Sequence, residues 1–212
     1  MIGISKNCVN EVTIIGTISE NFEFDHEAYG KKYFHSYICA ERNSKYVDRI
    51  LMVVPEDIID ENEDYVGQRV FAIGHYLSHG YYDENRKYHV KYYFAANQFD
   101  ISSKTNDWNE IILKGYVCKK LVKERISAGL TILKLAINRE HGCDYLHCLF
   151  WGDNSRVAAS LEIGDMVEIF GRIQSRDYIK KTDNGQEIRT AYEISVAEIL
   201  EVEERHIERH QN

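Results

Sequence analysis

The chain has 212 residues, of which 44% are hydrophobic and 28% charged, with a net charge of −8. That balance is ordinary for folded globular protein, and the length allows one or two domains. No apolar run approaches the roughly 20 residues of a bilayer-crossing helix, and Met1-Ile2-Gly3-Ile4-Ser5-Lys6 lacks the apolar stretch of a secretory signal, so cytoplasmic residence is expected.

In the first half, Val9 to Ser19 reads as a strand, and Asn21 to Lys32 as a polar loop or hairpin tip around Gly30. Tyr33 to Arg42 and Val47 to Val54 read as two more strands, the latter stopped by Pro55, which cannot donate to a ladder. Glu56 to Tyr65 reads as a short acidic helix with a solvated face. Val70 to Ser78 and Tyr88 to Gln98 are strands joined by a hairpin at Tyr81 to Lys87. A short polar joint follows at Ser102 to Asp107.

The same pattern then begins again. Asn10-Glu11-Val12 and Gly16 recur as Asn109-Glu110-Ile111 and Gly115. Gly67-Gln68-Arg69-Val70 and Gly74 recur as Gly164-Asp165-Met166-Val167 and Gly171. Such self-similarity indicates two copies of one domain of about 100 residues. The second copy has a basic loop at Lys119 to Gly129, with Lys119, Lys120, Lys123 and Arg125. Asp144 to Gly152 reads as a strand that ends in Trp151-Gly152, Asn154 to Leu161 as a short helix, and Met166 to Gly171 as another strand. A hairpin is signalled by Asn184-Gly185. The tail from Glu201 is polar and is expected to fray.

A strand, a short helix and a strand ending in Gly match the middle of the OB fold, a five-stranded Greek-key barrel. The expected class is all-β: two tandem five-stranded OB-fold barrels, each with a short helix between strands three and four. Residues 1–105 form the first, acidic and degenerate; residues 106–200 form the second; residues 201–212 are a polar tail.

The segments Asn109 to Gly115, Leu135 to Arg139, Asp144 to Gly152, Gly171 to Arg176 and Tyr192 to Val196 resemble, in order, the five strands of bacterial single-stranded DNA-binding proteins. The resemblance covers about residues 109 to 200 and implies sequence-nonspecific binding of single-stranded DNA in replication, repair or recombination. It places stacking aromatics at Tyr145, Trp151 and Tyr178. Two OB copies per chain imply a homodimer, since that family assembles four OB folds. Replication or recombination proteins are further partners, although Arg205 to Asn212 lacks the apolar tip with which the family's acidic tail recruits them.

Single strands are bound by aromatic platforms in a basic groove, because every base has a π-face and every linkage a charge. The basic candidates are Lys134, Arg139, Arg156, Arg172, Arg176, Lys180 and Lys181, with Arg189 nearby. Tyr145 and Trp151 are six residues apart and so share a strand face. In the first copy only Tyr81 matches, as the counterpart of Tyr178; Arg49 and Pro55 stand where the second copy has Tyr145 and Trp151. The charge is lopsided too: residues 1–105 carry 11 basic and 16 acidic side chains, a net of −5, while residues 106–197 carry 13 of each. The first copy is therefore expected to be the weaker binder or a scaffold.

Other chemistries find no support. The 5 cysteines are an odd number without a signal peptide, which argues against a disulfide framework. His141, Cys143, His147 and Cys148 invite a zinc reading, but His147 and Cys148 are neighbours in a strand and face opposite ways. No phosphate-binding Gly loop or catalytic triad context is present, so neither enzyme activity nor a cofactor or metal is expected. The alternative is an OB-fold accessory or protein-interaction component of a replication or primosome-type complex, with its Tyr-rich first copy docking a partner.

Overall fold

A computed structural model describes residues 7–123, 129–182 and 185–205. They are almost wholly strand: β1 (Val9–Ile18), β2 (Glu23–Ala28), β3 (Lys31–Glu41), β4 (Val47–Pro55), β5 (Arg69–Tyr82), β6 (Tyr88–Ile101), β7 (Trp108–Lys123), β8 (Leu130–Arg139), β9 (Gly142–Trp151), β10 (Met166–Thr182) and β11 (Gly185–Glu203). The longest described helix is α1 (Gly152–Ser160).

The residues group into two compact units that interleave along the chain. One holds residues up to Asn10, Ile112–Gly171 and those from Ile194; the other holds Glu11–Ile111 and Arg172–Glu193. The 17-residue β10 and 19-residue β11 therefore pass from one unit to the other part-way along.

In the unit containing Glu11–Ile111, β1 pairs with β3 and β5, β5 with β6, and β3 with β4, all antiparallel. A parallel step from β4 to β6, Met52 opposite Phe94, completes a circuit that returns to β1. This is the pairing order of an OB fold. Val12, Ile14, Ile18, Ile38, Ile50, Met52, Val70 and Phe94 fill its interior from alternate positions. In the unit containing Ile112–Gly171, β7 pairs with β8, β8 with β9, and β9 runs parallel to β11 through Cys148 opposite Ile194. The β10–β11 and β10–β7 pairings close the second circuit.

The structure shows why glycine recurs at these positions. A Cβ on Gly16 would lie 2.4 Å from the Cys39 carbonyl oxygen, and one on Gly115 would lie 2.8 Å from that of Ala136. The same holds at Gly74 against Ala95, 2.0 Å, and at Gly171 against Ser195, 2.4 Å. Each copy thus crosses backbone over backbone at matched places, where no side chain fits.

Four local expectations need correction. The segment expected as an acidic helix forms a single 3-10 turn, Glu56–Ile58. The Asp60 and Asp64 carboxylates instead accept the N–H groups of Asn62 and Val66, each at 2.9 Å. These Asx turns satisfy the backbone locally and compete with helix. By contrast, α1 forms in the second copy, and Lys120 caps its end by donating to the carbonyls of Ala159 and Leu161 at 2.9 and 2.6 Å.

The polar stretch after Asn21 contains a strand: β2 pairs with β3 around a turn in which Tyr29 and Gly30 both have positive φ. The loop placed at Lys119 to Gly129 begins later, because β7 continues to Lys123 past an irregularity between Val117 and Lys119; Arg125 lies outside the described residues. The tail is ordered strand as far as Glu203, where Glu201 and Glu203 both accept from Lys114 at 2.6 Å. Residues 206–212 and Asn184 of the hairpin signal lie outside the described residues.

Candidate nucleic-acid interface

Strand alternation builds the first part of the site. Along β9, Asp144, Leu146, Cys148 and Phe150 are buried, while Tyr145 and Trp151 on the other parity are 45% and 42% exposed. The two rings therefore share a face. The neighbouring strand β8 buries Leu133, Leu135 and Ile137 and turns Lys134 and Ala136 outward. Register places Ala136 opposite Tyr145 and Lys134 opposite His147. The Lys134 ammonium lies diagonally over the Tyr145 ring, 5.1 Å from its centroid. A cation held there supplies a charge for phosphate beside a π-face for a base.

Tyr145 also touches Cys143. Charge repulsion from the adjacent Cys143 thiol and a hydrogen bond to it raise the phenol's pKa above its ordinary value. The Tyr145 ring is therefore neutral at physiological pH. Cys148 is buried, and burial raises its pKa, which keeps it an inert thiol facing away from His147.

Trp151 owes its position to Gly152. The chain reaches Trp151 extended, with φ −112° and ψ 154°, and then bends through Gly152 at φ 58° into α1. That left-handed step suits glycine and leaves the indole at the strand's open end. Arg156 projects from α1 into solvent and forms a 3.0 Å pair with Asp153 one turn before it, a contact of little energy. Arg139 has a different role: its Nε lies 2.8 Å from the fully buried Asp144 carboxylate, so it neutralises an interior acid.

The other candidates belong to the second unit. Buried Ile173 and Ser175 fix the parity of β10, placing Arg172, Arg176, Tyr178 and Lys180 on one side and Lys181 on the other. Tyr178 is 39% exposed. Arg172 is half-buried, and burial together with nearby Arg42 lowers its pKa from the ordinary arginine value. Arg176 is exposed, 3.9 Å from Glu193. Arg189 is paired with Glu187 at 2.7 Å. Tyr81 is half-exposed and stacks on His89 at 5.5 Å.

Two strand-borne residues, Tyr116 and Leu121, escaped the sequence reading, and a third, Lys119, was read there as part of a loop. Register sets Tyr116 opposite Ala136, Lys119 opposite Lys134 and Leu121 opposite Ile132, extending the Tyr145 face onto β7. Assigning Lys119 to a loop hid this row, and unbroken alternation past Gly115 finds only Tyr116, because the irregularity between Val117 and Lys119 reverses the parity and turns Lys119 and Leu121 outward.

No protein-family model and no curated protein matches this sequence. Solved structures do match its fold. The wild-type single-stranded DNA-binding protein from Thermus aquaticus is 16% identical, with a TM-score of 0.72 and 97% of each chain covered. A deletion mutant of that protein gives 16% identity and a TM-score of 0.71 over 96% of this chain and 97% of that one. The chain has an SSB-like fold of duplicated OB units. A dimeric N-terminal domain of PriB protein from Thermoanaerobacter tencongensis aligns over 45% of this chain and 98% of its own, with 27% identity and a TM-score of 0.37.

Proposed function

We propose that the chain binds single-stranded DNA without sequence preference, in replication, repair or recombination in the cytoplasm. The observation that carries this reading is the outward face of β8 and β9, where Tyr145 and Trp151 stand half-exposed with Lys134 over the Tyr145 ring. Flat aromatic faces take any base, and cations track the backbone, so such a surface favours a flexible single strand. Tyr178, Arg176, Lys180 and Lys181 are assigned to the same ligand, with Tyr81 a lesser contributor. The two copies at residues 1–105 and 106–200 act as OB domains, and a homodimer brings four of them together. The full-length likeness to a protein that binds single-stranded DNA supports this reading.

A second reading rests on the β5–β6 hairpin, where Tyr82 is 71% exposed and packs edge-on against Tyr88 at 5.3 Å. Exposed tyrosines of this kind also suit a protein partner, which would make the chain an accessory component of a primosome-type complex.

A titration of labelled oligo(dT) followed by anisotropy at several salt concentrations separates the two. Phosphate contacts release counterions, so log affinity should fall by roughly 0.7 per contact against log salt. A net-acidic chain is expected to make about 3 to 5 such contacts. Salt-independent affinity would contradict phosphate tracking, and absence of binding would favour the accessory reading.

A further inference from the structure

The segment between the two sequence copies encloses a cleft that the interface above does not use. It has a volume of about 410 Å³ and is lined by Ile15, Ser103, Lys104, Thr105, Asn106 and Trp108. Trp108, the first residue of β7, is 48% exposed. Ile15 is buried and forms an aliphatic floor. The remaining lining side chains are two hydroxyls, an amide and one ammonium.

The walls are fixed. Arg69 donates from Nε to the Lys104 carbonyl at 2.8 Å, and its Nη1 pairs with Asp107 at 2.6 Å. The other Asp107 oxygen accepts the Glu41 N–H at 2.6 Å. Ser102 N–H donates to the Arg69 carbonyl at 2.8 Å. On the far side of Trp108, the Asn109 amide bridges the backbone of Ile173, donating at 2.7 Å and accepting at 3.1 Å. A short polar joint is thus held as a shaped wall on both sides of an exposed indole. Arg69 and Asp107 cancel each other's charge, which leaves Lys104 as the cation lining the cleft.

We infer that this cleft is a nucleotide site: one base of a bound single strand stacks on Trp108 over Ile15, with its phosphate on Lys104. The chemistry matches part by part. An indole and an aliphatic floor take the two apolar faces of a heterocycle. Ser103, Thr105 and Asn106 both donate and accept, so any base edge finds partners. The volume lies at the small end of ligand pockets, suited to one nucleotide. The inference rests on the single-strand reading above and adds to it a contact from the joint between the copies.

The chain has 2 tryptophans, so 5-fluorotryptophan labelling gives the intact protein two fluorine resonances, assigned with Trp108→Phe. Addition of oligo(dT) should shift the Trp108 resonance together with that of Trp151. Trp108→Ala should weaken oligo(dT) binding by about tenfold, as expected for one stacked base. Lys104→Met, a surface change that leaves the wall hydrogen bonds in place, should flatten the salt dependence by roughly 0.7. A shifted Trp151 resonance beside an unmoved Trp108 would overturn the inference while the single-strand reading stands. So would undiminished affinity in folded Trp108→Ala. Failure of oligo(dT) to bind at all would sink both.

Discussion

The two sequence copies solve one problem with their parts exchanged. In one, Lys134 on β8 lies over the ring of Tyr145 on β9. In the other, Arg49 on β4 lies over the ring of Tyr37 on β3, 3.4 Å from its centroid. Tyr37 and Lys134 are equivalent in the repeat, as are Arg49 and Tyr145, and both pairs are diagonal across neighbouring strands. Position by position the copies disagree; as a contact they agree. The difference is access. Arg49 is closer to its ring and also bonded to Glu20, so an anchored guanidinium lies on the face of Tyr37. Lys134 sits farther off, and Tyr145 stays half-exposed. One copy leaves its ring half-exposed and the other holds an anchored guanidinium against it.

Beneath this difference lies a shared scaffold, and breaking it gives the largest expected effect. Each copy buries an aspartate on its third strand against an arginine: Asp48 with Arg42 at 2.7 Å, and Asp144 with Arg139 at 2.8 Å. Asp48 also accepts the Ser175 N–H at 2.7 Å, and Ser175 Oγ accepts the Arg49 N–H at 2.9 Å. Removing one partner of a buried pair strands the other charge. Asp48→Ala and Asp144→Ala should therefore each cost about 3–5 kcal/mol in urea unfolding. A loss below about 1 kcal/mol in either would show that the pair is not a common structural device.

The scaffold explains which features the sequence discloses. The matched glycines are legible because backbone crossings admit no other residue, and Tyr145 and Trp151 are legible because strand parity is local. Arg139 was not: an arginine's partner depends on which side of the strand faces the interior, and spacing does not say whether that side holds an acid. Residues 56–65 misled because helix was inferred from charge and length, whereas Asp60 and Asp64 had backbone N–H groups within reach. The end of β11 misled because polar composition suggested fraying, while Lys114 gathers Glu201 and Glu203 across strands. In each miss a non-local or side-chain-to-backbone bond outweighed the local pattern.

A mid-sized effect tests whether the exposed rings matter for binding. Trp151→Ala and Tyr178→Ala should each weaken single-strand binding by about 1–3 kcal/mol, the range for loss of one stacked base. Tyr81→Ala should cost less, since its ring already stacks on His89, which is held by Asp83 at 2.8 Å. Anisotropy at one salt concentration, with unfolding curves to confirm folded variants, measures all three. Equal losses would make the first copy a full binding partner; a larger loss at Tyr81 would invert the assignment.

The smallest effect bears most directly on the exchanged pairs. If Glu20 anchors Arg49 over Tyr37, then Glu20→Gln should loosen the anchor without removing ring or cation. The bridge is half-exposed, with Arg49 at 44% and Glu20 at 55%, so its own energy is small and folding should be unaffected. Its removal deletes one negative charge from that face and frees Arg49 to meet a phosphate. Affinity for oligo(dT) should rise by about two- to threefold at low salt, and the salt dependence should steepen by up to roughly 0.7. Arg49→Ala separates the two contributions: it uncovers the Tyr37 ring but removes the cation, so the salt dependence should not steepen. If Glu20→Gln binds no better than the parent, the covered ring is not what distinguishes the copies. A weaker first copy would then owe its weakness to its missing counterparts of Tyr145 and Trp151.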